Sequence, residues 1–103
     1  MKRKLIRDKI KEEIQLQGKN KLITKVLTNE ERVDPLTETL FEEALEYKDA
    51  ANLNEKTEEL ADILEVVYAS ASAIGITEEQ LNHARNRKLE NKGGFTEGFI
   101  LNF

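Results

Sequence analysis

Glu42-Glu43-Ala44-Leu45-Glu46 and Glu58-Glu59-Leu60-Ala61-Asp62 are the two stretches of this chain best suited to chemistry. Glu43 with Glu46, and Glu59 with Asp62, stand three residues apart, so on a helix each pair shares one face. Like charges at this spacing repel, and a helix with only a structural role gains nothing from them. Acids of this kind ordinarily form a solvated face. Their neighbours argue otherwise here. Leu36, Leu40, Tyr47 and Ala50 form an apolar stripe with Glu43 in its middle, and Asp62 sits among Leu60, Ala61, Ile63, Leu64, Val66 and Val67. A carboxylate turned into a helical core is costly unless a positive charge meets it. No lysine or arginine lies within a turn of Asp62 in the sequence. A divalent cation would supply that charge, and Glu43, Glu46, Glu59 and Asp62, as hard oxygen ligands from two helices, suit magnesium or manganese. A di-iron site of the ferritin kind needs a Glu-x-x-His pair from each of two helices. The single histidine, His83, is in neither acidic stretch and reads as a surface residue.

The elements that must present these acids are helical. Ile6, Ile10 and Ile14 recur every four residues, which predicts a short amphipathic helix from Ile6 to about Gln17, stopped by Gly18. Lys21 to Leu27 is rich in β-formers and reads as an extended connector. Asp34-Pro35 looks like a cap followed by a first-turn proline, so the second helix is expected from there to about Ala51. Asn54 is expected to cap a third helix, Glu55 to Ile74, ended by Gly75. Thr77-Glu78-Glu79-Gln80 is a capping-box pattern opening a fourth, which Gly93-Gly94 ends. Phe95 to Phe103 is too short to classify and reads as a strand or an ordered extension. The expectation is an all-α single domain over residues 1–103, an antiparallel four-helix bundle with short connections.

At this point the pattern resembles a known family. Glu43-Ala44-Leu45-Glu46, a spacer of twelve residues and Glu59-Leu60-Ala61-Asp62 resemble the metal signature of the all-α nucleoside triphosphate pyrophosphohydrolases, which include MazG, phosphoribosyl-ATP pyrophosphohydrolase and the dimeric dUTPases. Leu5-Ile6-Arg7-Asp8-Lys9-Ile10 is similar to the opening of a small MazG-like subgroup termed phosphoribosyl-ATP pyrophosphohydrolase-like. Lys88 to Phe95 is similar to its closing K-x-x-x-R-G-G-F, with Lys92 where arginine is commoner. The resemblance implies a MazG-type bundle completed by dimerisation. It also implies a magnesium-dependent hydrolase, with manganese as the substitute, that cuts between the α and β phosphates of a nucleotide. Glu43, Glu46, Glu59 and Asp62 would hold the metal. Glu42, beside them, would serve a second metal or orient the attacking water. Arg7, Lys9, Lys88 and Lys92 would grip the polyphosphate, with Gly93-Gly94 allowing close approach of the backbone.

Composition bounds the alternatives. The 103 residues leave room for one modest core, and charged residues make up 35% of them with a net charge of −4. That acidic balance points away from nucleic acid as the partner, since a phosphate backbone calls for a basic surface. The absence of cysteine excludes disulfides, thiolate metal sites and a cysteine nucleophile. The basic N-terminus lacks a signal peptide's apolar run, and Leu60 to Ile76 carries Asp62 and Glu65 and falls short of a membrane span. A cytoplasmic protein away from membranes is therefore expected, and the resemblance implies that it acts on a small nucleotide as a homodimer or homotetramer. Two competing readings keep the helices but not the catalysis. One is a metal-binding regulatory module with little turnover, the other a structural helical dimer whose acids face water.

Overall fold

The computed structural model describes residues 3–23 and 25–103, and among them regular structure is entirely helical. Helix α1 spans Asp8–Leu16, within the expected limits, and Gly18 follows it with φ of 70°. A single 3₁₀ turn, Asn20–Leu22, then occupies part of the stretch expected to be an extended connector.

Helix α2 runs from Asn29 to Asp49, starting six residues before the proline expected to open it. The cap is Thr28. Its hydroxyl accepts from the Glu31 amide at 3.3 Å while the Glu31 carboxylate accepts from the Thr28 amide at 3.1 Å. Two orphan donors are thereby satisfied together. Lys25 clasps Glu31, and the Arg32 side chain donates to the Leu27 carbonyl and to Asn29, so the first turn is tied down on several sides. Pro35 is consequently the seventh residue of the helix and leaves the Glu31 carbonyl without its usual partner.

Helix α3, Leu53–Ala73, is capped by Asn52 rather than Asn54. The Glu55 amide donates to Asn52 at 2.9 Å, and the Glu55 carboxylate accepts from Ala51 at 2.9 Å. Only Ala50, Ala51 and Asn52 separate α2 from α3, so the two form an antiparallel hairpin. Lys56 fastens its corner: the ammonium lies 4.7 Å from the centre of the Tyr47 ring and donates to the Tyr47 carbonyl at 3.0 Å. Gly75, with φ of 83°, ends α3. Helix α4, Glu78–Lys92, opens with the expected capping box between Thr77 and Gln80 and departs from α3 at 114°. The Tyr68 hydroxyl donates to Asn82 across that corner at 3.3 Å.

Packing is thin for a single chain. Among the described residues Leu36, Val66 and Ala71 are the buried apolar ones, and α1 packs against none of the longer helices. The radius of gyration is 17.1 Å, against roughly 13 Å for a compact domain of this length. One chain thus supplies a two-helix hairpin with α4 folded off its end, and much of its apolar surface lies open. No single helix among the described residues is long and apolar enough to cross a membrane. Beyond α4 the chain has no regular structure apart from a turn in which the Gly98 amide donates to the Phe95 carbonyl.

Candidate metal centre

The hairpin brings its acids together near its corner. Glu43 takes its place in the inward stripe of α2, after Leu36 and Leu40, and Glu59 faces it from α3. The lock between Lys56 and Tyr47 stands one turn from each, so it sets the register in which the carboxylates meet. Glu43, Glu46 and Glu59 each offer an oxygen within 4.8 Å of the other two.

Two of these oxygens are shut off from water and from any donor. Glu43 Oε2 and Glu59 Oε2 are both buried and neither has a hydrogen-bond partner. Ionised carboxylates accept and cannot donate, so the pair requires a shared proton or a cation between them. The strain appears in Glu43, whose pKa rises from 4.5 to about 7. Burial is the chief cause, followed by the Glu59 carboxyl, the charge of Glu46 and, further off, that of Asp62. Residues of this chemistry, with two orphaned oxygens, fit a hard divalent cation.

Asp62 stands apart from the other three. Its Oδ1 accepts from the guanidinium of Arg7 at 2.5 Å, and the two side chains are 38% and 60% exposed. The sequence offers no cation within a turn of Asp62, yet one arrives from the segment ahead of α1. Asp62 is thus neutralised by Arg7, and not only by a metal as its sequence neighbours suggest. A cleft of about 370 Å³ opens beside this ion pair, lined by Arg7, Asp62, Glu65 and Tyr68 among others. A neighbouring hollow of about 350 Å³ shares Glu65 and Tyr68 and extends to Ser72 and Thr77 at the foot of α4. Neither acidic stretch points to Glu65 or Tyr68, which border both hollows. Their signal is the recurrence of Asp62, Glu65, Tyr68 and Ser72 every three or four residues on α3.

The remaining candidates are spread out. Glu42 is exposed on α2, next to the cluster but outside it. Lys9 on α1 and Lys88 and Lys92 on α4 are exposed, and none forms an ion pair among the described residues. Gly93 has φ of 78° with ψ near 180°, a conformation open essentially to glycine alone, and it caps α4. A side chain at Gly93 would meet nothing, and at Gly94 only an ordinary contact with Leu89. The helix stop therefore accounts for Gly93. His83 is exposed on α4, away from the acids of the cluster. Set against known proteins, the chain matches no family model, no curated protein and no solved structure.

Proposed function

We propose that this protein is a magnesium-dependent nucleotide pyrophosphohydrolase of the MazG-like kind. It would cut a nucleoside triphosphate, or a similar nucleotide, between the α and β phosphates. The observation that carries the reading is the pair of donorless, buried oxygens on Glu43 and Glu59 with Glu46 beside them. Magnesium typically binds through a few carboxylates together with a substrate's phosphates, and an open cleft lies at the Arg7–Asp62 pair, one helical turn along α3 from Glu59.

In this reading Glu43, Glu46 and Glu59 would hold the ion, and Asp62 would be a further ligand once free of Arg7. Bound there, magnesium would supply the positive charge that offsets the phosphate oxygens. Water adds to the α phosphorus, the bond from that phosphorus to the bridging oxygen breaks, and pyrophosphate leaves. Glu42 orients the water and takes its proton. Arg7, released from Asp62, pairs with phosphate oxygens through its planar fork, and Lys9, Lys88 and Lys92 hold the outer phosphates. A MazG-type bundle of two or more copies belongs to the same proposal, since it would cover the faces that one chain leaves open.

The test is a panel of nucleoside triphosphates with magnesium, scored for products. Monophosphate with pyrophosphate is the expected outcome. Diphosphate with orthophosphate would place the cut between the β and γ phosphates and overturn the chemistry. Tight magnesium binding with no turnover across the panel would favour the regulatory module.

A further inference from the structure

Five of the last nine residues are large and apolar, and each is between 78% and 112% exposed. Among them Phe99, Leu101 and Phe103 alternate, so in an extended chain they project from one side over roughly 13 Å. Helix α3 carries an uncovered stripe of matching character. Leu53, Leu60 and Leu64 follow one another at seven and four residues, and are 82%, 50% and 52% exposed. At about 1.5 Å per residue the stripe is roughly 16 Å long. We infer that residues 99–103 of one chain seat along the Leu53–Leu60–Leu64 stripe of a second copy, with the second copy returning the same contact.

The chain's own stripe is poorly placed to take the arm. Helix α4 is about 22 Å long and leaves α3 at 114°, so the arm begins well to one side of α3. The turn from Phe95 to Gly98 shortens it further. A reach back to the same chain's Leu60 would spend the arm before Phe99 could seat. A second copy is free to approach from any side, and reciprocal exchange closes the assembly at two.

The area is that of a stable dimer. An aromatic side chain hides about 150–250 Å² when covered. Phe99, Leu101 and Phe103 therefore remove at most roughly 500 Å² per arm, and the partly exposed leucines beneath them roughly 300 Å² more. Two seats together come to roughly 1,600 Å², the size of a standard specific interface.

The chain contains no cysteine, which makes a cross-link decisive. The double variant Leu60→Cys, Leu101→Cys replaces two exposed side chains and leaves the buried residues alone. After mild oxidation it should run at twice 11.8 kDa, with peptide mapping showing residue 60 joined to residue 101. The chain ended at Gly98 should lose the dimer or dissociate at least tenfold more readily in light scattering. A link formed within one chain, a link only between two copies of residue 101, or a monomeric full-length protein would each overturn the inference. Both readouts are masses and need neither metal nor nucleotide, so their failure leaves the reading of the acids standing.

Discussion

The guanidinium of Arg7 and the carboxylate of Asp62 pair across fifty-five residues of chain, and the charge of Asp62 is felt at Glu43. Both side chains are substantially exposed, so the bond contributes at most about 1 kcal/mol, and Arg7→Ala should move the melting temperature by only a few degrees. Its effect on ligands should be larger and opposite in sign for two of them. Freed from Arg7, Asp62 should bind magnesium more tightly, whereas a non-hydrolysable nucleotide should bind several-fold more weakly. Calorimetry with each ligand decides the matter, and a parallel loss of both would reduce Arg7 to a structural tie.

Magnesium or manganese should stabilise the protein, because an ion between Glu43 and Glu59 relieves their repulsion. A hundredfold excess over the dissociation constant stabilises by about 2.7 kcal/mol, which for a chain of this size is a rise of roughly 10 °C or more. Glu59→Gln should remove that rise and also raise the melting temperature of the metal-free protein. Melting curves with and without millimolar metal test both statements.

Stability without metal should fall between pH 4.5 and about 7. Glu43 holds a proton up to about 7 in the folded protein and releases it near 4.5 when unfolded. The folded state therefore binds more protons in that window, and stability falls as pH rises through it. Glu46, Glu59 and Asp62 face Glu43, and Arg7 is held on Asp62. Glu31 acts in the other direction at lower pH. Lys25 chiefly, with Thr28, lowers it to about 2, so its contribution is lost as pH falls below 4.5. Magnesium should flatten the upper limb, and chemical denaturation at stepped pH with a chelator or magnesium shows whether it does.

The start of α2 can be tested by two substitutions of opposite sign. Thr28→Ala removes half of the capping box and should cost about 1 kcal/mol. Pro35→Ala restores an amide donor inside the helix and should stabilise, by up to about 3 kcal/mol. A helix that began at Pro35 would leave Thr28→Ala without effect and Pro35→Ala close to neutral.

If the proposed reaction is correct, Glu43→Gln and Glu59→Gln should each lower turnover at least a hundredfold while folding is kept. Lys88→Ala should act mainly on KM, by roughly tenfold or less, as expected for a lost phosphate contact. Steady-state kinetics with circular dichroism as the folding control separates the two effects. Equal losses for all three would mean that the acids do no more than Lys88.

The acids that converge could be read from the sequence because the cue is local. Glu43 interrupts an apolar stripe at helical spacing, and that interruption points inward whatever lies opposite. The capping box of α4 was equally legible, since Thr77 and Gln80 are neighbours in the chain. Thr28-Asn29-Glu30-Glu31 carries the same signal, but Pro35 supplies a competing start, and helix propensity alone does not say which prevails. The Arg7–Asp62 pair had no such cue. Nothing within a turn of either residue announces a partner fifty-five positions away, and exposed charges pair with whatever the tertiary fold brings near.

The short corner between α2 and α3 bears on the order in which the protein acquires its shape. Glu43 and Asp62 are nineteen positions apart, so closing the loop between them costs little entropy and the hairpin should zip rapidly from its Lys56–Tyr47 end. The first inward layer reached along that path is the one where Glu43 meets Glu59, an encounter of like charges in the middle of a closing zipper. A divalent ion present during refolding would turn that obstacle into a clasp. The same carboxylates proposed to hold a metal in the finished protein would then also govern how fast its hairpin forms.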